Sequence, residues 1–207
     1  KKAFMAPTKN NFPTIEPHQL PQLMRDLNKA NIKRVTRCLI EWQLQTMVRP
    51  GEAAGTRWDE IDMTEEVWHI PAKRMKKKRD HKVPLSPQML KLLEIMHPIT
   101  GHREHLFCGD RNPRASINKQ TANMVLKRMG YGGKLVAHGM RSVASTILNE
   151  HQFPSDIIEV ALAHVDKNEN RDDYNKAKYL ELRRKMMCWW SDYVQQAADG
   201  NLSLAQA

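Results

Sequence analysis

The sequence predicts a mainly α-helical protein with one small three-stranded antiparallel sheet in its middle. Over most of the 207 residues, apolar side chains recur three and four positions apart, which is the period of a helix with one buried face. Between about residues 58 and 85 this period gives way to short apolar segments separated by turns, as in strands. Apolar residues make up 41% of the chain, which is enough to form a core.

The N-terminal part predicts a polar arm followed by two helices. We expect residues 1–15, which are polar and interrupted by prolines, to form a linker ahead of a domain spanning residues 16–207. Residues 33–47 predict the second helix, which ends at a Pro-Gly pair, a common stop signal. The first helix opens at Pro17, and its apolar face is Leu20, Leu23, Met24 and Leu27.

Three strands are predicted at residues 58–61, 67–70 and 81–85, and the last two form a hairpin with a strongly basic tip. So many like charges repel one another unless an anion neutralises them, and the backbone of DNA is one such anion. A solvated basic loop is the alternative interpretation. The cations of the tip are Lys73, Arg74, Lys76, Lys77, Lys78, Arg79 and Lys82.

Helices are predicted again after the sheet. Ser86 followed by Pro87 is typical of an N-cap and a first helical residue. Residues 97–116 contain prolines and glycines and predict a loop. Further helices are expected over residues 117–129, after His138, after Ser155 and over about residues 171–198.

The overall charge favours a nucleic-acid partner. The formal net charge is +10 and the isoelectric point is about 9.6, and lysines and arginines bind nucleic acid by releasing counterions from phosphates. A protein with a basic surface and no such partner would have the same composition. No run of about 18 apolar residues is present, so we predict no membrane span.

The three cysteines are few and widely spaced. Cys38, Cys108 and Cys188 contain no Cys-x-x-Cys pair, and an odd number cannot be fully paired. Neither a disulfide framework nor a zinc site is expected. The pattern fits a protein of a reducing cytosol.

Five scattered residues have side chains that suit the binding and cleavage of a phosphodiester: Arg49, His138, Arg141, His164 and Tyr174. An arginine presents a planar fork of donors that matches phosphate oxygens. A histidine exchanges protons near neutral pH, and a tyrosine hydroxyl can act as a covalent nucleophile. We therefore interpret the five as a candidate active site, on condition that the fold brings them together.

Each of these signals has an ordinary structural alternative. His138 and Arg141 lie three positions apart on one predicted helix, beside its apolar stripe, and could be a capping histidine and a surface arginine. Arg49 and Glu52 could form a solvated ion pair of little consequence. His164 follows an apolar segment and could be a buried structural histidine.

Seven segments of the chain, taken in order, resemble the catalytic domain of the tyrosine recombinases, also called the phage integrase family. The chain is most similar to the integrases of P4-type prophages and genomic islands. The resemblance implies the catalytic-domain fold of that family. The matching segments are VRPGEA (48–53), WHIPAKRMK (68–76), HKVPLS (81–86), HGMR (138–141), LAHVDKN (162–168), DYNKA (173–177) and RRKMMCWWSDYV (183–194).

The resemblance also implies a role for each position. Arg49 and Arg141 would bind the scissile phosphate, and Glu52 would order the site. His138 would act in proton transfer, whereas His164 would bind the phosphate. Two further roles are implied: the nucleophile would be Tyr174, and the lysine of the hairpin would be Lys76, with Lys77 as the alternative.

The resemblance further implies site-specific integration and excision of DNA through a 3′-phosphotyrosyl intermediate, with no cofactor and no metal. The partners would be double-stranded attachment sites, accessory DNA-bending or excision proteins, and three further copies of the chain. Two arrangements are open for the apolar C-terminal helix around Trp189 and Trp190: packing against the core of its own chain, or docking into a neighbouring copy within the tetramer. Core-binding and arm-binding domains would belong to the full-length protein.

Three other functions remain open from the sequence. A type IB topoisomerase would use the same chemistry to relax supercoils. A catalytically inactive remnant would retain a basic DNA-binding surface without activity. A metal-dependent nuclease would use some of the nine histidines.

Overall fold

The computed structural model describes residues 12–164 and 173–198, with only the backbone for residues 173–178. Within this part, the predicted mainly helical fold with a small antiparallel sheet is confirmed. The helices are α1 (Leu20–Lys29), α2 (Arg34–Thr46), α3 (Pro50–Ala54), α4 (Pro87–Thr100), α5 (Thr121–Leu126), α6 (Gly139–Glu150), α7 (Ser155–Ala161) and α8 (Asp173–Ala197). The strands are β1 (Ile61–Asp62), β2 (Val67–Ile70) and β3 (His81–Pro84).

The strands form one antiparallel sheet in the order β1-β2-β3. β1 is shorter than predicted, because residues 58–60 form a 3-10 turn instead of a strand. The carboxylate of Glu60 turns back and accepts a hydrogen bond from the backbone N–H of Arg57 at 3.3 Å. The same carboxylate accepts from the indole N–H of Trp68 in β2 at 3.0 Å. The turn therefore brings the Glu60 carboxylate within hydrogen-bond distance of two N–H groups that a straight strand would leave apart.

Helix α2 lies at the centre of the core. Trp42 contacts Trp68 of β2, with ring centroids 5.4 Å apart, and Phe107, at 6.4 Å. On α8, Trp190 donates from its indole N–H to the carbonyl of Leu44 at 3.0 Å. The sheet and the last helix are thus both fixed to α2, and burial of these large rings stabilises the arrangement.

The last helix packs against its own chain. Trp190 is 0% exposed, which corresponds to the first of the two arrangements considered from the sequence, so its ring is covered by its own chain. Trp189 is only half-buried and stacks on Tyr193, with ring centroids 5.3 Å apart. The buried face of α8 consists of Met186, Met187, Trp190 and Val194.

Helix α4 begins as predicted but extends further. The backbone N–H of Met89 donates to the Ser86 hydroxyl at 3.3 Å, which confirms the N-cap. The predicted loop at residues 97–116 begins only after Thr100, because the helix continues through Pro98. Thr100 is buried, and its hydroxyl donates to the carbonyl of Leu106 at 2.9 Å. This tertiary contact holds the last turn in spite of the proline.

The described end of the predicted linker, residues 12–15, is docked on the start of α6. The backbone N–H of Val136 donates to the carbonyl of Pro13 at 3.2 Å, and the Thr14 hydroxyl donates to the carbonyl of Gly139 at 3.0 Å. A Cβ on Gly139 would lie 2.1 Å from the Pro13 carbonyl oxygen. Glycine is therefore required where the chain passes α6.

The three cysteines are free thiols, and burial raises the pKa of Cys38 to about 12, which keeps that thiol protonated. In residues 12–164 and 173–198, no helix is long and apolar enough to cross a membrane.

Candidate active site

Arg141 is buried between the ends of two helices. The sequence placed it at the margin of the buried face of α6, but it is only 4% exposed. One terminal nitrogen donates to the carbonyl of Met47 and the other to the carbonyl of Leu162 at 2.6 Å. These carbonyls stand at the C-terminal ends of α2 and α7, where the helix dipole is negative. They replace the hydration that the cation loses on burial.

The protonation of Arg141 survives its burial. Loss of solvent, and then the positive charge of Arg49, lower its pKa to about 10. This value is still well above neutrality, so the guanidinium remains a cation under physiological conditions.

Arg49 is the N-cap residue of α3, and Glu52 holds it in two ways. One carboxylate oxygen accepts from the backbone N–H of Arg49 at 2.9 Å, and the other accepts from its guanidinium at 3.1 Å. The side chain of Glu52 is 4% exposed, so this ion pair is buried rather than solvated. The orientation of the guanidinium is thereby restricted.

Both arginines meet at one short turn. Arg141 binds the carbonyl of Leu162, and the guanidinium of Arg49 lies 3.5 Å from the carbonyl of Ala163, which it faces as a donor. Ala163 has a φ of 50°, in the left-handed region that costs an L-residue about 1–2 kcal/mol. His164 follows directly, so the conformation of this turn brings two guanidinium groups and an imidazole together.

His164 is oriented by an acidic neighbour. Its Nδ1 lies 2.7 Å from a carboxylate oxygen of Glu159, which accepts the N–H. Its Nε2 lies 3.4 Å from a terminal nitrogen of Arg141. The buried structural histidine considered from the sequence is not what the structure contains, because the side chain is 45% exposed.

His138 is the N-cap residue of α6 and is fixed from both sides. The preceding residue, Ala137, accepts through its carbonyl from the Gln43 amide and donates through its N–H to Asn123, both at 2.7 Å. The ring of Phe12 lies against the imidazole, with centroids 4.3 Å apart.

The pKa of His138 is lowered from its ordinary value. Desolvation is the largest cause, followed by the positive charges of Arg141, Arg49 and Lys76 and by His164. The neutral imidazole is therefore favoured at neutral pH, and a neutral imidazole is able to accept a proton.

One cleft of about 230 Å³ joins three of the five residues predicted from the sequence, His138, Arg141 and His164. Hydroxyl groups from the exposed side of α6 form another part of its wall, and Glu159 and Leu162 complete it. The hydroxyl-bearing residues of the cleft are Ser142, Ser145 and Thr146.

The basic hairpin is exposed except at its base. Arg74 differs from its neighbours, because it forms an ion pair with Glu60 and donates to the carbonyl of Glu52 at 2.7 Å. The charge of Lys76 is among the causes that lower the pKa of His138, and the choice between Lys76 and Lys77 stays a prediction. The exposed cations are Lys73, Lys76, Lys77, Lys78, Arg79 and Lys82.

Of the two tyrosines in the first half of α8, the structure describes the side chain of Tyr179 but not that of Tyr174. Tyr174 lies in the first turn of α8, and its side chain is outside the part that the structure describes. Its convergence with the other four residues stays a prediction. Tyr179 donates from its hydroxyl to Asp156 of α7 and packs against the core.

Several residues of the site were not singled out from the sequence. Glu159 and Phe12 touch the two histidines, but neither has a motif or a spacing that would have revealed the contact. His81 is buried beside Arg183, it hydrogen-bonds to the backbone of Ala161, and loss of solvent lowers its pKa to about 3. It thereby links the start of β3 to the helix that ends at the arginine-binding turn.

Comparison with known proteins shows the family to which the chain belongs. The model of the phage integrase family matches residues 13–181. The prophage integrase IntA of Escherichia coli K12 is 56% identical over 203 residues, covering 98% of this chain and 49% of that protein. The integrase of enterobacteria phage P4 is 34% identical over 210 residues, covering 94% and 48%.

The fold matches that of a lambda integrase fragment (75–356), a dimer bound to a COC′ core site, with a TM-score of 0.61 and 16% identity. The match covers 81% of this chain and 63% of that one. The chain therefore belongs to the phage integrase family, and it has the fold of the tyrosine recombinases. It spans about half the length of the curated relatives that it matches.

We predict that Phe12→Ala raises the pKa of His138. Without the ring of Phe12, the imidazole of His138 becomes more hydrated, so its charged form is less disfavoured. The titration of His138 followed by NMR measures the change. Trp189→Ala is a matched control, because Trp189 contacts the ring of His151 in the same way, at 4.6 Å. An unchanged His138 titration in the Phe12 variant would contradict the shielding role.

We predict that Ala163→Gly raises the free energy of unfolding by on the order of 0.5–1 kcal/mol, because glycine adopts a positive φ without strain. Ala161→Gly is the control, since Ala161 ends α7 in ordinary helical geometry and its replacement lowers stability. Chemical denaturation measures both. A loss of stability in the Ala163 variant would show that the left-handed turn is not strained.

Proposed function

We propose that this chain is the catalytic domain of a site-specific recombinase that breaks and rejoins DNA during prophage or genomic-island integration and excision. The observation that carries the proposal is the shared turn at residues 162–164. There the guanidinium groups of Arg49 and Arg141 converge beside His164, and His138 opens into the same cleft. A phosphodiester has the charge and the oxygen geometry that two arginines and a histidine bind best.

The first step is attack by the hydroxyl of Tyr174 on the scissile phosphorus. His138, held neutral by its surroundings, accepts the tyrosine proton as the new phosphorus–oxygen bond forms. The bond to the 5′ oxygen breaks, and the ammonium of Lys76 protonates that leaving oxygen. The product is a 3′-phosphotyrosyl linkage and a free 5′-hydroxyl.

Arg49, Arg141 and His164 stabilise the negative charge on the non-bridging oxygens during this exchange. Arg141 and Arg49 are held by fixed backbone and carboxylate partners, so little reorganisation accompanies the reaction. In the second step, the 5′-hydroxyl of a partner strand attacks the phosphotyrosine. The energy of the phosphodiester is kept in the linkage, so the exchange requires no nucleotide cofactor.

The DNA contacts of this domain would come largely from the basic hairpin. Its exposed cations project beyond β2 and β3, next to the lysine assigned to the leaving oxygen. The lambda integrase with the same fold is bound to a core site as a dimer. Exchange between two duplexes requires four strand cleavages, so four copies of the chain would assemble on paired attachment sites.

The half-exposed stack of Trp189 and Tyr193 on α8 would be one part of the C-terminal helix that a neighbouring subunit could contact. Accessory DNA-bending or excision proteins would select the direction of recombination. The reaction would take place on the bacterial chromosome in the cytoplasm.

We predict that Tyr174→Phe abolishes covalent attachment to DNA and leaves binding nearly unchanged, because only the nucleophilic oxygen is lost. A nicked suicide substrate, from which the cleaved fragment diffuses away, traps the covalent product for gel analysis and peptide mapping. The reaction is run in excess chelator, which separates it from that of a metal-dependent nuclease.

Tyr179→Phe is the matched control and is expected to retain attachment, since its hydroxyl is engaged with Asp156. Attachment that persists in the Tyr174 variant and disappears in the Tyr179 variant would transfer the nucleophile to Tyr179. Relaxation of supercoiled DNA without paired sites would instead indicate a topoisomerase.

We predict that replacing Lys77 and Lys78 together by alanine weakens DNA binding and flattens its salt dependence. Each lost phosphate contact lowers the slope of log affinity against log salt by about 0.9. Binding measured by fluorescence anisotropy at several salt concentrations tests this. Replacement of Lys29 and Lys91, which lie on α1 and α4, is the control with the same change in charge. Equal slopes in both double variants would remove the hairpin from the interface.

A further inference from the structure

We infer that Arg74 is a positioning residue that holds the hairpin lysine, Lys76, at a fixed position relative to the phosphate-binding Arg49. The inference rests on the proposed function, because it assigns to Arg74 the placement of the group that protonates the leaving oxygen. Arg74 is one of the cations first interpreted as a DNA contact, and its surroundings differ from those of the others.

The guanidinium of Arg74 is clamped between two elements. One terminal nitrogen binds the carboxylate of Glu60, and the other donates to the backbone carbonyl of Glu52 at 2.7 Å. The side chains of Arg74 and Glu60 are 16% and 7% exposed, so the pair is screened from solvent. Glu60 is itself fixed by the indole of Trp68, a fully buried residue of β2.

The carbonyl that Arg74 binds belongs to the residue that orders Arg49. Glu52 uses its carboxylate for Arg49 and its carbonyl for Arg74, so a single residue of α3 links the phosphate site to the hairpin. The space for the guanidinium is provided by Gly55, where a Cβ would lie 2.9 Å from a terminal nitrogen of Arg74. A larger residue at this position would displace the arginine or the helix.

The clamp acts on the segment that leads into Lys76. Arg74 ends a 3-10 turn, Met75 is 3% exposed, and the chain is exposed from Lys76 to Asp80. Arg74 and Met75 are therefore the last fixed points before the lysine. Two residues of chain span only about 7 Å, so the anchor at Arg74 limits where the lysine backbone lies.

A merely structural ion pair is the alternative to this role. Its loss would leave the buried Glu60 without its partner and would destabilise the protein. A general loss of stability or of DNA binding would slow cleavage of every substrate alike. A positioning role acts through the leaving-group proton and predicts a defect that depends on the leaving group.

The leaving group can be changed without changing the protein. In a substrate with sulfur in place of the bridging 5′ oxygen, the phosphorus–sulfur bond breaks and the electron pair leaves on a thiolate. Thiolates are far weaker bases than alkoxides, so this departure needs no proton from Lys76. The attack by Tyr174 and the transfer of its proton to His138 are the same in both substrates.

The experiment compares cleavage of oxygen- and sulfur-bridged suicide substrates, at saturating DNA, by the wild type, Arg74→Ala, Arg74→Lys and Lys76→Ala. We expect Arg74→Ala to slow cleavage of the oxygen substrate on the order of 10²-fold, the effect of misplacing a catalytic group. Cleavage of the sulfur substrate should return to near the wild-type rate, as for Lys76→Ala. Arg74→Lys keeps the charge but lacks the fork that binds two acceptors, so it should show the same pattern more weakly.

Two further variants separate the positioning role from loss of folding and from the loss of a nearby charge. Glu60→Gln weakens the clamp from its other side and keeps an oxygen for Trp68, so it should show the same dependence on the leaving group if Arg74→Ala fails to fold. Arg57→Ala is the matched control, because it removes an arginine whose guanidinium is bound to Asp59 and Glu104 and lies outside the pair of Arg74 and Glu60. It should cleave both substrates at the wild-type rate.

Equal defects of the Arg74 variants on both substrates, or no defect on either, would overturn the inference while the proposed function stands. Failure of the wild type to form a covalent product with either substrate would overturn the proposed function and the inference with it. A Lys76→Ala defect that sulfur does not relieve would transfer the proton-donating role to another group and would also overturn the inference.

Discussion

The site of this protein depends on one buried cation. The guanidinium of Arg141 joins the carbonyl of Met47, at the end of the central helix α2, to the carbonyl of Leu162, at the end of α7. A buried charge persists only where polar partners replace its water. The guanidinium can therefore be buried only if both helices end where their last carbonyls can reach it. Met47 satisfies this constraint by adopting a φ of 55°, which caps α2.

The same constraint determines the electrostatics of the cleft. Arg49 lies beside Arg141 at the turn of Ala163. The carboxylate of Glu52 binds the guanidinium of Arg49, and the carboxylate of Glu159 binds the imidazole of His164. The positive charges disfavour a further proton on His138, in addition to the effect of its burial. A cleft arranged in this way favours an anion at its centre and a proton acceptor at its edge. The first property follows from the two guanidinium groups, and the second follows from the burial of His138 together with their positive charge.

The patterned parts of the fold were predictable, and the misses had local causes. The apolar stripe of α6 and the Ser86 cap are present as expected, because they depend on helical periodicity and on a short-range hydrogen bond. The strand predicted from Trp58 is a turn in which Glu60 binds the side chain of Trp68, and the end of α4 is extended by the hydrogen bond from Thr100 to Leu106. Neither contact follows the period of a helix or a strand, so the apolar pattern did not reveal it.

The sequence by itself determined the helical period, the basic hairpin and the identities of the reactive side chains, since these are properties of composition and spacing. Tertiary structure alone decided which charges are buried and which are free for a ligand. Arg74 and Lys76 are two positions apart in one run of cations, yet one is clamped to Glu60 and the other is exposed. The physical reason is that the free energy of a charge depends on its solvent and its neighbours, and folding supplies both from remote parts of the chain.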